Sequence, residues 1–425
     1  MNILVLGAGG REHAICWKLR QSEKVKELYC APGNGGTGFH ATNVNLDVSK
    51  HKKVASFCKK NRVDLVVVGP EAPLAVGITD DLRKAGIAVF GPLYAAARLE
   101  SSKIFAKELM GRYGVPTARF RVFDDFERAR TYILDSDLPV VVKAYGLAAG
   151  KGVIIANTHE EAIESARKML IGREFGSAGR RIIVEEFLSG REASILVVTD
   201  GDAVIPLATS QDHKRAYDGD TGPNTGGMGA FSPTPLIGKK AFKEIMSRII
   251  EPTIRGLKNE KIDYQGVLYA GIMMTEDGPK ALEYNVRFGD PETQAILPRM
   301  RSDLAELLMN AATGQLAGTT LEWDERESVC VVLAAEGYPG EYDKGKEITG
   351  IIEAMDAQAI IFHAGTKYDG DKLVTSGGRV MSVVGMGDGM KQATESAYRG
   401  VSKIHFDGMW YRSDIGAGVA AGINS

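Results

Sequence analysis

Residues 2–14 read Asn-Ile-Leu-Val-Leu-Gly-Ala-Gly-Gly-Arg-Glu-His-Ala, an apolar run, Ile3–Leu6, that ends in four small residues and gives way to a helical stretch. A short β-branched and aliphatic run closed by glycine predicts a buried strand feeding a tight turn. The same grammar returns twice. Val63–Val68 ends in Gly69-Pro70-Glu71, and Ala88–Phe90 ends in Gly91-Pro92. Strands that alternate with helices predict a parallel sheet, so all three glycine turns are expected at its carboxyl edge. That edge is where open α/β sheets bind ligands.

The opening segment invites a dinucleotide-binding reading, but GxGxxG requires glycine at position 12, where Glu12 stands. Without it the nicotinamide reading weakens. What remains is a strand, a flexible turn and a helix N-terminus whose free N–H groups suit a phosphate or carboxylate. A plain tight turn in a doubly wound sheet is the competing view.

The 425 residues allow about two to four domains. Fifty glycines gather in GAGG, PGNGG, GLAAGKG and NTGGMGA rather than in low-complexity tracts, which predicts loops built to approach ligands. A net charge of -2 without long single-sign runs argues against nucleic-acid binding and against a polybasic membrane patch. Cys16, Cys30, Cys58 and Cys330 show no CxxC spacing, so reduced, buried thiols are expected. There is no basic leader and no apolar run of the roughly 18 residues a bilayer span needs, and a cytoplasmic protein is expected.

Beyond Glu100 the pattern changes. A lysine-rich helix, Ser101–Tyr113, is followed by predicted strands at Pro139–Ala144 and Arg181–Glu185, which bracket a small glycine-rich subdomain. Asp200–Thr234 reads as mostly loop, too long to be idle. A helix ending near Thr313-Gly314 precedes a strand-rich C-terminal part that begins at Ser328–Ala335.

Three segments carry chemistry. Lys143 closes an apolar run where a lysine is costly unless it meets an anion, and Gly146–Gly152, with Lys151, fits a mobile phosphate-covering flap. It is no Walker A loop, because Tyr145 and Gly152 stand where glycine and Ser/Thr are required. The strand Arg181–Val184 runs into Glu185-Glu186-Phe187-Leu188, whose backbone can meet an adenine edge, with Glu192 beyond it for ribose hydroxyls. Ala281–Phe288 is the most informative: on a strand, Glu283, Asn285 and Arg287 share one face and Tyr284, Val286 and Phe288 the other. Oxygens from Glu283 and Asn285 can hold Mg²⁺, and Arg287 can grip a phosphoryl or carboxylate oxygen pair. Gln211–Arg215 and Gly222–Ala230 concentrate donors, acceptors and glycine backbone in the long loop, and His213 there is not expected to act as a base.

With GAGGREHA, PGN at Pro32–Asn34, GPE at Gly69–Glu71, AAGKGV, EEFL, QDHKR, GPNTGGMGA and RFGDPETQ in this order, the chain resembles the glycinamide ribonucleotide synthetase family of ATP-grasp ligases. The resemblance implies a mixed α/β (α+β) fold: an N-terminal parallel α/β domain (1–102), an ATP-grasp region of two subdomains (103–325, the flap-bearing one about 124–189) and a small strand-rich C-terminal domain (326–425). It implies ATP and Mg²⁺, with Mn²⁺ a possible substitute, and ligation of glycine to 5-phosphoribosylamine through a glycyl phosphate. Lys103, Lys143, Lys151, Glu185, Glu186, Phe187, Leu188, Glu192, Arg215 and Asn224 would face the nucleotide. Glu283 and Asn285 would hold the metal. Gly10, Arg11, Asn34, Glu71, Asp212, Gly226, Gly227, Arg287 and Asp290 would meet the other substrates, with Arg287, Lys143 and Lys214 at the reacting groups. A monomer is expected rather than a dimer. Tyr145, Arg191 and Gly418 depart from the family pattern, which has acidic residues at the first two positions and arginine at the third.

Overall fold

The computed structural model describes residues 1–146, 152–172, 174 and 176–420. Five parallel strands form the N-terminal sheet, in the order Thr42–Asn43, Glu27–Pro32, Asn2–Gly7, Leu65–Val68, Ala88–Phe90. The expected three are the inner and one outer member; Glu27–Pro32 and Thr42–Asn43 complete the sheet. Ile3–Leu6 and Leu65–Val67 are wholly buried, as a sheet covered on both faces demands. Gly7, Gly69 and Gly91 therefore emerge at one edge.

The small subdomain is a four-stranded antiparallel sheet ordered Phe120–Phe123, Ile182–Glu186, Val140–Ala144, Val153–Ala156. Helices Phe126–Leu134 and His159–Leu170 cover one side, and Ile133, Val140, Val142, Ala166 and Val184 give it a core of its own. Asp125 and Thr158 cap the two helices through side-chain oxygens. The expected flap residues 147–151, Lys151 included, lie outside the described residues.

A second antiparallel sheet runs Val204–Pro206, Arg191–Thr199, Gly266–Thr275, Gly278–Asn285. Its last strand slips register between Gly271 and Ile272, so Leu282 is extra and Glu283 pairs with Gly271. The slip leaves Tyr284, Val286 and Phe288 buried, and Glu283, Asn285 and Arg287 open to the opposite side. The strand itself stops at Asn285, and Arg287 sits in the turn beyond.

Just over half of Asp200–Thr234 is loop, as expected, and the rest is strand. It carries Val204–Pro206, Gln211–Asp212, Arg215–Tyr217, Thr221–Asn224 and Gly229–Ser232. These strands are only two to four residues long, too short for an alternation to announce them, and Gly229–Ser232 alone pairs far along the chain. Gly229–Ser232 pairs with Glu327–Ala335, which makes it a member of the C-terminal sheet together with Arg379–Gly387 and Ile360–His363. Helix Met390–Val401 packs behind that sheet. All four cysteines are buried and free, and no helix among the described residues is long and apolar enough to cross a membrane.

Candidate active site

The sheet edges converge on one cleft of about 1670 Å³. At its N-terminal side Glu12 shows why the glycine turn is not a dinucleotide cradle. Its carboxylate accepts from the Gly9 N–H at 2.6 Å and from Arg11 Nε at 2.6 Å. A Cβ at Gly7 would lie 2.5 Å from Glu12 Cγ, and one at Gly69 2.0 Å from its Oε1. Two of the sheet's glycine turns thus make room for a glutamate rather than for a pyrophosphate. Arg11 is held again by the Phe288 carbonyl, 3.0 Å away.

At the small sheet, Lys143 does meet an anion, Glu185 Oε2 at 2.8 Å, and Lys107 meets the same oxygen at 3.2 Å. Lys107 comes from helix Lys103–Arg112, which Ser102 caps. Its burial draws the ammonium down to about 8 against the pull of Glu185. Glu185 Oε1 is buried with no hydrogen-bond partner among the described residues. Lys103 donates to the Gly146 carbonyl at 3.2 Å, and burial lowers it as well.

Between the two sheets, Lys214 pairs with Glu192 and stands 3.6 Å from Glu283. Burial works against the Lys214 ammonium, but Glu192, Asp212 and Glu283 overcome it and hold the charge well past the ordinary lysine range. Burial likewise pushes the Glu283 carboxyl up, and Lys214, Lys103, Lys143 and Arg287 together outweigh it, so Glu283 ionises more readily than usual. Asp212 and Glu292 behave oppositely. Burial raises both, and for Asp212 the neighbouring Glu292 and Glu192 add to the rise while Lys214 opposes it. The site therefore holds a strongly anionic oxygen beside two carboxyls that lack enough cation.

Arg287 is gripped by Glu100 Oε1 at 2.8 Å and by Glu71 Oε2 at 3.4 Å. Its Nη2 also points to Asn285 Oδ1 at 3.4 Å. Asp290 accepts from Gln294 at 2.7 Å and pairs with Arg379 at 3.5 Å. Arg379 donates to the Gly226 and Asp290 carbonyls at 2.6 and 2.7 Å, and the Gly226 N–H donates to Tyr338 Oη. One arginine from the C-terminal sheet thus joins the NTGG loop to the RFGDPE turn.

Of the residues singled out in the sequence, Arg11, Glu71, Lys103, Lys143, Glu185, Glu186, Phe187, Leu188, Glu192, Asp212, Lys214, Arg215, Asn224, Gly226, Glu283, Asn285, Arg287 and Asp290 all line this cleft. Gly10, Asn34 and Gly227 do not. Gly10 lets helix Gly10–Leu19 approach Gln294, and Gly227, at φ +110°, lies against Pro291. Asn34 spends its amide on the Ala8 and His363 carbonyls and its oxygen on Gly36 and Thr37, which fixes the PGN turn. Lys107, Glu100, Glu292, Tyr338 and Arg379 escaped the sequence reading. Lys107 alone left a trace, one turn beyond Lys103 on the same helix face.

Tyr145 is stacked under the Arg181 guanidinium, 4.6 Å from its ring centre, while Arg191 and Gly418 both border the cleft.

Among the described residues no three His, Cys, Asp or Glu side chains converge into a metal cage. Glu283 and Asn285, two oxygen ligands on one face with the carboxylate held ionised, fit an ion such as Mg²⁺ that keeps waters and takes its other ligands from phosphates.

Against known proteins, the family model described as Phosphoribosylglycinamide synthetase matches in three parts: the N domain over residues 1–100, the ATP-grasp (A) domain over 101–293 and the C domain over 328–418. A phosphoribosylamine–glycine ligase of Caldanaerobacter subterraneus subsp. tengcongensis is 49% identical over 418 residues, covering 98% of this chain and 100% of that protein. The crystal structure of a phosphoribosylamine–glycine ligase from Thermotoga maritima superposes with a TM-score of 0.85 at 37% identity, over 97% of this chain and 100% of that one. The biotin carboxylase domain of a Hydrogenobacter thermophilus 2-oxoglutarate carboxylase shares the fold, with a TM-score of 0.72 at 14% identity over 96% and 91% of the two chains. The chain is a carbon–nitrogen ligase of the ATP-grasp fold that uses ATP with a divalent metal, and it belongs to the phosphoribosylglycinamide synthetase family.

Proposed function

We propose that this chain joins glycine to 5-phosphoribosylamine at the expense of ATP, giving glycinamide ribonucleotide, ADP and phosphate. The observation that carries the reading is the strip Glu283, Asn285 and Arg287 with Lys214 beside it, set between the small-sheet lysines and the N-terminal edge. Such a strip can bring a polyphosphate from one side to a carboxylate on the other.

ATP lies with its adenine against Glu185–Leu188, where the unpartnered Glu185 Oε1 accepts from the exocyclic amine. Glu192 meets the ribose, and Lys103, Lys143, Lys151, Arg215 and Asn224 the phosphates. Bound at Glu283 and Asn285, Mg²⁺ or Mn²⁺ would neutralise charge on the transferring phosphoryl group. Glycine places its ammonium by Asp212, with Glu292 behind, which supplies the cation those two carboxyls lack. Its carboxylate oxygen attacks the γ-phosphorus, the bond to ADP breaks, and a glycyl phosphate results. The amine of phosphoribosylamine then attacks the acyl carbon and loses a proton as phosphate leaves. Arg287 and Lys214 stabilise the developing charge, so no side-chain nucleophile is required. Arg11, Glu71, Gly226 and Asp290, with the turns that Gly10, Asn34 and Gly227 shape, hold the sugar phosphate.

The near-balanced charge without long single-sign runs supports an enzyme of small molecules rather than of nucleic acid, and we read it as a monomer of the cytoplasm. The chain divides, on this reading, into 1–102, 103–325 with its flap-bearing part about 124–189, and 326–425. Isotope-labelled glycine with freshly made phosphoribosylamine tests the whole: label entering a phosphoribosyl product with stoichiometric ADP supports it, and ADP release that ignores glycine refutes it.

A further inference from the structure

Arg215–Tyr217 and Thr221–Asn224 form a two-stranded hairpin that belongs to none of the larger sheets. Its outer face is open: Tyr217 is 54% exposed, and residues 218–223 are exposed with it. Yet the hairpin brings Arg215 and Asn224 to the cleft as a directly paired couple. Something must fix it there.

The C-terminal tail does so. Arg412 is 1% exposed, the bulkiest fully buried side chain described. It grips Asp414 with both ends of its fork, Nε to Oδ1 at 2.7 Å and Nη2 to Oδ2 at 2.6 Å. Its Nη1 reaches into the hairpin, to Asp220 Oδ1 at 2.7 Å and to the Arg215 carbonyl at 3.1 Å. Asp414 Oδ2 takes the Gly219 N–H at 2.9 Å, and Asp218 takes the Ser413 N–H at 2.9 Å and its hydroxyl. Trp410 leans on Tyr217, 5.8 Å between ring centres. Behind the tail, Tyr398 Oη donates to the Arg412 carbonyl at 2.7 Å, anchoring it to helix Met390–Val401.

We propose that Arg412 is a positioning residue of the nucleotide site, holding the 215–224 hairpin so that Arg215 and Asn224 meet ATP. The proposal rests on the reading above that places those two residues at the nucleotide. Arg412 touches no reacting atom. A planar fork is needed, because one ammonium cannot bind Asp414 twice and still reach Asp220 and the Arg215 carbonyl. A hairpin freed from this clamp spends only part of its time in the binding geometry, and apparent ATP affinity falls by that fraction.

The test uses the full chain with Asp218→Ala, Arg412→Lys, Arg215→Ala and Asn224→Ala. Asp218 is exposed, so its removal costs the clamp two hydrogen bonds without opening the core. Asp218→Ala is expected to raise the KM for ATP about 3- to 10-fold, with kcat and the KM for glycine within about twofold of wild type. Amide exchange across 215–224 is expected to quicken, while melting stays unchanged. Arg412→Lys is expected to move the same quantities further. If Arg215→Ala raises the KM for ATP while Asp218→Ala and a folded Arg412→Lys do not, the clamp is overturned and the nucleotide reading stands. If Arg215→Ala and Asn224→Ala both leave direct MgATP binding unchanged, the hairpin has no nucleotide role and the proposal falls with it. Ligase activity in wild type is scored separately, so a failed substrate assignment cannot be mistaken for either result.

Discussion

Arg287 Nη2 lies 2.8 Å from Glu100 Oε1, while the other oxygen of Glu100 accepts the Val286 N–H at 2.8 Å. One buried carboxylate from helix Tyr94–Ser101 therefore fixes both the guanidinium and the backbone beside it. The partners are Glu100 and Glu71, not the neighbouring Asp290 or Glu292. Arg287→Lys keeps the charge and loses the fork that holds two acceptors and still offers an edge to substrate. Turnover is expected to fall by roughly 2 to 4 kcal/mol of barrier, with a smaller change in ATP binding. Steady-state kinetics check it: wild-type turnover in a variant that merely melts earlier would make Arg287 a structural ion pair.

Glu283→Gln tests the metal. The carboxylate is held ionised by four surrounding cations, so a neutral amide removes a charged ligand and leaves Lys214, Lys103, Lys143 and Arg287 with less to neutralise them. The fold is expected to persist. Turnover is expected to drop, with the half-saturating Mg²⁺ concentration raised by at least about tenfold. Near-normal activity at limiting magnesium sinks the assignment.

Lys107 gives a pH signature. Burial brings its ammonium down to about 8, so the charge is present below that pH and lost above it. If it helps balance the phosphates over the small sheet, the KM for ATP rises several-fold between about pH 7.5 and 9. Lys107→Met is expected to start from the raised value and show a flatter profile. A wild-type profile identical to that of the variant removes Lys107 from the nucleotide site.

A histidine cluster sets the acid limb of stability. His13, His40 and His363 pack where the N-terminal helix meets the C-terminal sheet, with His13 Nδ1 accepting the His363 N–H at 2.8 Å. Burial, helped by His40, holds His363 down at about 4, and burial with Arg412 holds His213 at about 4. An unfolded chain takes up these protons near pH 6.5, and the folded one refuses them until about 4. The histidines' share of stability is therefore lost as pH falls across that window and is flat above it, opposed by the raised carboxyls Asp212 and Glu292, which gain as pH falls. His363 alone contributes on the order of 3 kcal/mol by its lower end. Urea midpoints from pH 7.5 to 4.5 check the slope, and His363→Asn is expected to flatten it.

Much of this was legible because it is periodic or local. Ile3–Leu6 and Leu65–Val68 announce a parallel sheet by being apolar throughout, and Glu12 weakens the dinucleotide reading by standing where a glycine is required. Glu283, Asn285 and Arg287 read correctly as one face because the extra residue, Leu282, precedes all three and leaves their spacing untouched. Glu100, Arg379 and Arg412 could not be read in the same way. Each is one charged residue in an unremarkable helix, strand start or tail, and its meaning comes from a partner about 90 to 200 positions distant. The strands at 211–232 were hidden because each is only two to four residues long, and the last of them, Gly229–Ser232, pairs across the chain with Glu327–Ala335.

That same cross-chain pairing has a consequence during synthesis. Gly229–Ser232 leaves the ribosome about a hundred residues before its hydrogen-bonding partner Glu327–Ala335, and the hairpin beside it waits longer still for Arg412. Until then the emerging chain carries an unpaired strand edge and an unanchored arm next to lysines already in place. A chain cut before Glu327 is thus expected to be inactive and sticky, and one cut just before Arg412 to bind ATP more weakly. Residues made long after the hairpin are the ones that close the work of the middle.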